Sequence, residues 1–167
     1  MYIPFESLAP ESRIWIYQSV KKFTDTEKAI IRDFLKLFTD QWAAHGQPLR
    51  ASFDIRYDHF IVLAADESYQ APSGCSIDDS VRALKRLEQE TGLQLFDRNS
   101  IAFNKGDTVE MLPLAGLRND FETGKWTVTT PVFNNLVVTK HQLDHKWTLP
   151  AGETWLKRYI PATNVVG

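Results

Sequence analysis

Two stretches of the chain place apolar residues at intervals of three and four positions, which predicts two amphipathic helices. The first stretch follows residues 24–27 (Thr-Asp-Thr-Glu), a capping box whose threonine hydroxyl and glutamate carboxylate satisfy backbone amides at a helix start. This helix is expected to end near Gly46 and Pro48. The second stretch follows Ser76, which is the expected N-cap, and Gly92 is the expected end of that helix.

Several shorter runs are typical of strands. Residues 13–18 are β-branched and aromatic, and residues 49–57 alternate between apolar and polar side chains. A tight turn at Asp58-His59 leads into residues 60–65, which are apolar on both faces and therefore favour a central strand. Residues 100–103 and 108–112 flank a turn sequence, Asn-Lys-Gly-Asp, and together they predict a β-hairpin.

The order of the predicted elements over residues 13–103 is β-α-β-β-α-β. This order favours an α+β fold of the ferredoxin-like sandwich type, in which a split βαβ arrangement places two helices on one face of an antiparallel sheet. The hairpin would be an addition to that sandwich. A different α+β sandwich, in which the hairpin extends the sheet, is the alternative.

We expect a division between residues 1–112 and residues 113–167. The first range would be the α+β core domain. The second holds three of the five tryptophans but few periodic runs, so it is expected to be an irregular C-terminal arm packed on the core as part of a single structural unit. Within this arm the pattern predicts only a short helix at 114–122, a strand at 132–138 and a helical turn at 139–145.

Composition and charge contribute mainly exclusions. The chain has 167 residues, 43% of them hydrophobic, which rules out a fully disordered protein. A net charge of -2 gives no general attraction to nucleic acid or anionic lipid, although Phe53, Tyr57 and Phe60 could otherwise stack bases. No apolar run approaches the length of a membrane span, and the N-terminus lacks a secretory signal. With a single cysteine, these features predict a soluble cytoplasmic protein.

The only thiol, Cys75, gives the first candidate site. It lies at the predicted start of the second helix, where exposed N–H groups and the helix dipole stabilise a thiolate. With His45 or His59 as the base, Cys75 could act as a catalytic nucleophile. Asp78 in the same turn opposes this role, because a nearby negative charge disfavours the thiolate. The alternative is a small apolar side chain packed beneath the helix start.

The same turn is also a candidate ligand site, because backbone amides at a helix start attract anions. The residues expected to line it are Ser73, Gly74, Ser76, Asp78, Arg50 and Arg56. An ordinary capped helix is the alternative interpretation. His141 and His145 have helical i,i+4 spacing but lack the glutamate of the H-E-x-x-H motif, so neither a metal site nor a cofactor is predicted.

Four stretches of the chain resemble a small, uncharacterised bacterial family whose members are often labelled ABC-transporter ATPase. They are residues 12–18 (SRIWIYQ), 42–46 (WAAHG), 60–64 (FIVLA) and 73–78 (SGCSID), and residues 155–158 (WLKR) are similar too. The label implies a Walker A loop, G-x-x-x-x-G-K-[ST]. The single Gly-Lys pair, Gly124-Lys125, is followed by Trp126 and has Asn119 in place of the first glycine. The motif therefore gives no support for an ATPase.

These observations favour a non-catalytic module that binds a small molecule or a protein. The alternative is a thiol-dependent enzyme that uses Cys75 with His45 or His59. No membrane partner is expected, and nucleic acid is disfavoured by the charge balance.

Overall fold

The computed structural model describes residues 1–68 and 70–162. The helices and strands, in chain order, are β1 (Arg13–Gln18), α1 (Asp25–Gln41), β2 (Ala43–Ala44), β3 (Gln47–Pro48), β4 (Arg50–Arg56), β5 (Phe60–Asp66), α2 (Gly74–Thr91), β6 (Ser100–Asn104), β7 (Val109–Pro113), α3 (Leu117–Glu122), β8 (Pro131–Phe133), α4 (Lys140–Lys146) and β9 (Thr148–Pro150). The chain is therefore a mixed α/β protein with antiparallel sheets, as the sequence pattern predicts.

The chain divides into two compact units. The first consists of Met1–Asp97 and Val138–Asp144, and the second of Arg98–Val137 and His145–Gly167. This division differs from the predicted one after residue 112. The reason is that the β6–β7 hairpin pairs with strand β8, so it belongs with the part of the chain that follows it.

The sheet of the first unit contains three strands in the order β1-β5-β4, and β5 is antiparallel to both neighbours. β1 and β4 thus run parallel with β5 between them, which is the split βαβ arrangement expected for the first three strands. The expected fourth strand, residues 100–103, lies in the sheet of the second unit instead. After α2 the chain meets β1 at two isolated bridges: Phe96 pairs with Gln18 in the parallel sense, and Thr139 pairs with Arg13 in the antiparallel sense. A fourth ferredoxin-like strand would be antiparallel to β1 along its length, and neither Phe96 nor Thr139 belongs to a strand.

The hydrophobic core of the first unit lies between this sheet and the two long helices, which pack on the same face. Its buried residues include Tyr17, Ile31, Leu35, Ile61, Leu63, Leu84 and Leu87. Every residue of β5 is buried, which agrees with the continuous apolar run that predicted a central strand.

The capping box of α1 is confirmed, but the helix is shorter than expected. The Glu27 amide donates to the Thr24 hydroxyl over 3.1 Å, and the Thr24 amide donates to the Glu27 carboxylate over 2.9 Å. The helix ends at Gln41 rather than near Gly46. β2 and β3 follow at once as a hairpin, in which His45 and Gly46 have φ of 52° and 77°. The glycine therefore serves a tight turn of the hairpin and does not end the helix.

Two further boundaries differ from the expected ones. The N-cap of α2 is Ser73 and not Ser76, and each of these serines accepts a hydrogen bond from the other's backbone amide. The β4–β5 turn is formed by Tyr57 and Asp58, both with positive φ, rather than by Asp58 and His59. In both cases the observed boundary differs from the expected one by one to three residues, because the exact end of a helix or strand depends on more than the local sequence.

The second unit has its own sheet, in the order β7-β6-β8-β9, and its own core. The core surrounds Trp126, whose indole is 1% exposed and donates to the Leu117 carbonyl over 2.8 Å. The predicted hairpin and short helix are present here. The expected irregular arm is not, because residues 131–133 and 148–150 add two strands to the hairpin.

Candidate functional site

The candidate site of the first unit is the surface at the start of α2, which we call the α2 entry site and define as Ser73, Gly74, Cys75 and Ser76. Asp66 ends β5, the central strand, and pairs in register with Arg50 at the start of β4. Ser73 is the N-cap, and the three residues after it form the first turn of the helix. The helix start therefore supplies the site, and the chain reaches it from the end of the central strand.

Asp66 anchors the chain where it leaves the sheet. Its carboxylate is 6% exposed and accepts hydrogen bonds from the Ser68 amide over 2.9 Å and from the Ser68 hydroxyl over 2.5 Å. Burial acts to raise the pKa of Asp66, but the Ser68 hydrogen bonds and the positive charge of Arg50 outweigh it and lower the pKa below the ordinary 3.8. The carboxylate is therefore charged at neutral pH.

The first turn of α2 is open to solvent. Gly74 and Cys75 are both exposed, and a Cβ built on Gly74 would meet no atom within 4 Å. The capping bonds between Ser73 and Ser76 satisfy two of the backbone amides at the helix start. The amides of Gly74 and Cys75 precede the first intrahelical bond and have no partner within the described part of the chain. These two amides can donate to a ligand.

Cys75 is exposed, which excludes the alternative of a thiol packed beneath the helix. Neither candidate base is bonded to it. His45 is exposed at the tip of the β2–β3 hairpin, and over residues 1–68 and 70–162 no hydrogen bond joins it to the thiol. The structure therefore presents the nucleophile of the enzyme hypothesis without the base that the hypothesis requires.

His59 has a different role. It lies just before β5, at the opposite end of the strand from Asp66, and a strand of seven residues spans about 20 Å. Its ring is 8% exposed, and its Nδ1 lies 2.9 Å from the Ser19 carbonyl. Because a carbonyl only accepts, Nδ1 must be protonated. His59 thus fastens the β1–α1 connection to the β4–β5 turn.

The two arginines of the candidate ligand site are likewise separated. Arg50 is at the Asp66 end of β4, the end of the sheet from which the chain continues to α2. Arg56 is at the other end, where it donates to Asp54 over 2.5 Å and lies 5.4 Å from the centre of the Phe5 ring. Asp78 is exposed on the second turn of α2. Ser73, Gly74, Ser76 and Asp78 thus lie within the first two turns of α2, Arg50 lies at the near end of the sheet, and Arg56 lies at the far end.

Trp42 holds the β2–β3 hairpin beside the α2 entry site, a role that no local sequence pattern indicates. Its indole Nε1 donates to the Ser76 carbonyl over 2.8 Å. The Ser68 bonds to Asp66 were also not anticipated. An aspartate at the end of an apolar run with a serine two residues later is the pattern of an Asx turn, and this signal could have revealed the contact.

Other chemistry is not evident in the part of the chain that the structure describes. No group of three His, Cys, Asp or Glu side chains is arranged to hold a metal ion there, and no helix there is both long and apolar enough to cross a membrane. A depression of about 230 Å³ at the end of α2 contains none of the predicted site residues. It is lined by Ser19, Val20, Lys21, Gly92, Leu93 and Gln94.

Comparison with protein-family models, with curated proteins and with solved structures finds no match for this chain.

Proposed function

We propose that the protein is a non-catalytic binding module whose α2 entry site holds a carboxylate or phosphate group, either of a small molecule or of a protein partner. The observation that supports this proposal is the open first turn of α2, where Gly74 and Cys75 are exposed and their amides, at the positive end of the helix dipole, have no partner among the described residues. A binding site of this kind needs no base beside the thiol, and no histidine among residues 1–68 and 70–162 is bonded to it.

We also propose that the chain is related to the uncharacterised bacterial family that it resembles in sequence. The first four stretches of the resemblance correspond to β1, the β2–β3 hairpin, β5 and the start of α2. All four lie in the first unit, and Trp42 of the second stretch is bonded to Ser76 of the fourth. An exposed, unpaired thiol also suits a reducing compartment, so we propose a cytoplasmic location.

Titration with inorganic phosphate and with acetate, followed by amide NMR of the full chain, tests the binding site. We expect saturable shifts of the Gly74 and Cys75 amides. The first turn of α1 is the matched control, because both helices have a complete capping box but only α1 has negative charges, Asp25 and Glu27, in its first turn. The Cys75→Ser variant should bind equally well. Equal shifts at both helices, or none at α2, would contradict the proposal.

Thiol-dependent catalysis is the second candidate, and the exposure of Cys75 favours it. In this case an imidazole would have to approach the sulfur during the reaction, and His45 on the neighbouring hairpin is the nearer candidate. The rate of alkylation by iodoacetamide distinguishes the two functions. In a binding module the rate is the same in the wild type and in His45→Asn, whereas a loss of about tenfold in the variant would indicate an activated thiol.

A further inference from the structure

A second surface, in the second unit, carries cationic and aromatic side chains. We call it the cation–aromatic patch and define it as Arg118, Trp155, Lys157, Arg158 and Tyr159. Arg118 belongs to α3, and the other four belong to a short 3₁₀ helix, Trp155–Tyr159. All are exposed except Tyr159, which is half-buried, and the Trp155 side chain is 37% exposed.

Contacts within the patch hold its side chains in a defined arrangement. The Arg158 guanidinium carbon lies 5.6 Å from the centre of the Trp155 ring, and the Tyr159 ring lies 6.0 Å away from that ring at an angle of 72°. Residues three apart eclipse each other on a 3₁₀ helix, which places Arg158 over the indole. Arg118 donates from Nη to the Arg158 carbonyl over 2.9 Å and so joins α3 to the same surface.

The three cations of the patch have no carboxylate partner among the described residues. Of the other four cations of the second unit, Lys105 pairs with Glu110 and Lys125 pairs with Asp120, whereas Arg98 and Lys146 form no ion pair among the described residues. The patch differs from these last two in the aromatic rings that lie beside its cations. Two acidic side chains are near in sequence, Glu122 and Glu153, but within the described ranges neither forms an ion pair. The guanidinium N–H donors of the patch therefore remain available for bidentate bonds to carboxylates.

We propose that this patch binds an acidic segment of a partner protein. Tryptophan, tyrosine and arginine are the residue types that most often dominate the energy of protein interfaces. The charge of the rest of the chain disfavours nucleic acid. The first unit carries 12 basic and 16 acidic side chains, and the second carries 7 and 5. The net charge of -2 gives the whole chain no long-range attraction for a long polyanion, whereas a short acidic segment needs only the patch.

Fluorescence anisotropy with the full chain tests this proposal. The probe is a fluorescein-labelled peptide, Glu-Glu-Phe-Glu-Glu-Phe-Glu-Glu. A second peptide, with glutamine in place of every glutamate, reports the contribution of charge. We expect the double variant Arg118→Ala/Arg158→Ala to weaken binding of the acidic peptide by at least about tenfold. The matched control is Arg98→Ala/Lys146→Ala, which removes two exposed cations of the same unit outside the patch and should leave the affinity within about twofold.

The aromatic part has its own pair of variants. Trp155→Phe should retain binding, since it keeps a ring beneath Arg158, and Trp155→Ala should weaken it by about tenfold. Absence of binding at about 1 mM protein, equal losses in the patch and control double variants, or tighter binding of a single-stranded decathymidylate than of the peptide would each overturn the proposal. The patch and the α2 entry site share no residue, so failure of one leaves the other unaffected.

Discussion

The indole Nε1 of Trp42 donates a hydrogen bond of 2.8 Å to the backbone carbonyl of Ser76. Trp42 follows the last residue of α1 and is 2% exposed, while Ser76 lies in the first turn of α2. One side chain thus connects the end of the first helix to the start of the second. Because the α2 entry site is built on that first turn, its position depends on a residue more than thirty positions earlier in the chain.

Trp42→Phe should lower the free energy of unfolding of the chain by about 1–3 kcal/mol, since the variant loses the hydrogen bond and part of the buried ring. Urea denaturation followed by circular dichroism measures the change. Trp155→Phe is the matched control: this indole is exposed, so the same substitution should change stability by less than about 0.5 kcal/mol. Similar losses in both variants would show that the bond to Ser76 contributes little.

His59→Ala should also destabilise the protein, by about 1–3 kcal/mol, because the buried Ser19 carbonyl would lose its ring N–H donor. Thermal unfolding measures this change. The iodoacetamide reactivity of Cys75 should stay within about twofold of the wild-type value, since the imidazole lies at the far end of β5. A stable variant with altered thiol reactivity would contradict the structural role of this histidine.

His45→Asn is expected to raise stability slightly, by about 0.3–1 kcal/mol. His45 has φ of 52° and precedes Gly46 in a two-residue hairpin turn, and Asn-Gly is the pair that such turns prefer. A higher melting temperature would agree with this expectation. A lower one would show that the imidazole makes contacts that offset its backbone strain.

The free energy of unfolding should decrease at low pH, because Glu27 and Asp66 become protonated there. The hydrogen bond from the Thr24 amide lowers the pKa of Glu27 below 4.5, and the Ser68 bonds and the Arg50 charge lower that of Asp66 below 3.8. A carboxylate whose pKa is lower in the folded than in the unfolded state stabilises the protein when the pH is above its unfolded-state pKa. This contribution is lost as the pH falls through the folded-state pKa. Urea denaturation between about pH 6 and pH 2.5 should show the loss. Glu27→Gln should reduce the loss, and an unchanged pH profile would exclude the contribution of this residue.

The free energy of unfolding should decrease at high pH, because the phenol of Tyr17 ionises there. Burial raises its pKa above 10.0, against an opposing hydrogen bond with Ser80. The neutral phenol is therefore favoured in the folded state, so its contribution is present below pH 10.0 and is lost as pH rises through the folded value. Tyr17→Phe removes the phenol, and its denaturation profile should be flatter than that of the wild type above pH 10.0. Identical slopes would argue against the burial effect.

Gly152→Ala should destabilise the second unit by about 1–3 kcal/mol. A Cβ at this position would lie 3.1 Å from both the carbonyl oxygen and the Cβ of Val128, and the oxygen belongs to the backbone, which moves only at a cost. Gly74→Ala is the control, because its Cβ would enter open space at the start of a helix, and it should be neutral or slightly stabilising. Urea denaturation followed by tryptophan fluorescence separates the two outcomes.

The elements that the sequence predicts well depend on neighbouring residues only. The capping box before α1 involves residues 24–27, and its bonds form wherever that segment begins a helix. The apolar run of β5 and the turn sequence of the β6–β7 hairpin are equally local. The helix start next to Cys75 was also expected from the sequence, although Ser73 rather than Ser76 caps it, since both serines take part in the same mutual bonds.

Tertiary structure decided which of these elements come together, because strand pairing and packing join residues that are far apart in sequence. It assigned the β6–β7 hairpin to the second sheet, exposed Cys75, and placed His59 at the opposite end of β5 from Asp66. It also brought Arg118 beside Arg158 across forty residues. The sequence by itself determined the types and approximate positions of the elements, since hydrogen bonds and periodicity act over a few residues. The composition of each site depended on long-range pairing that no local pattern encodes.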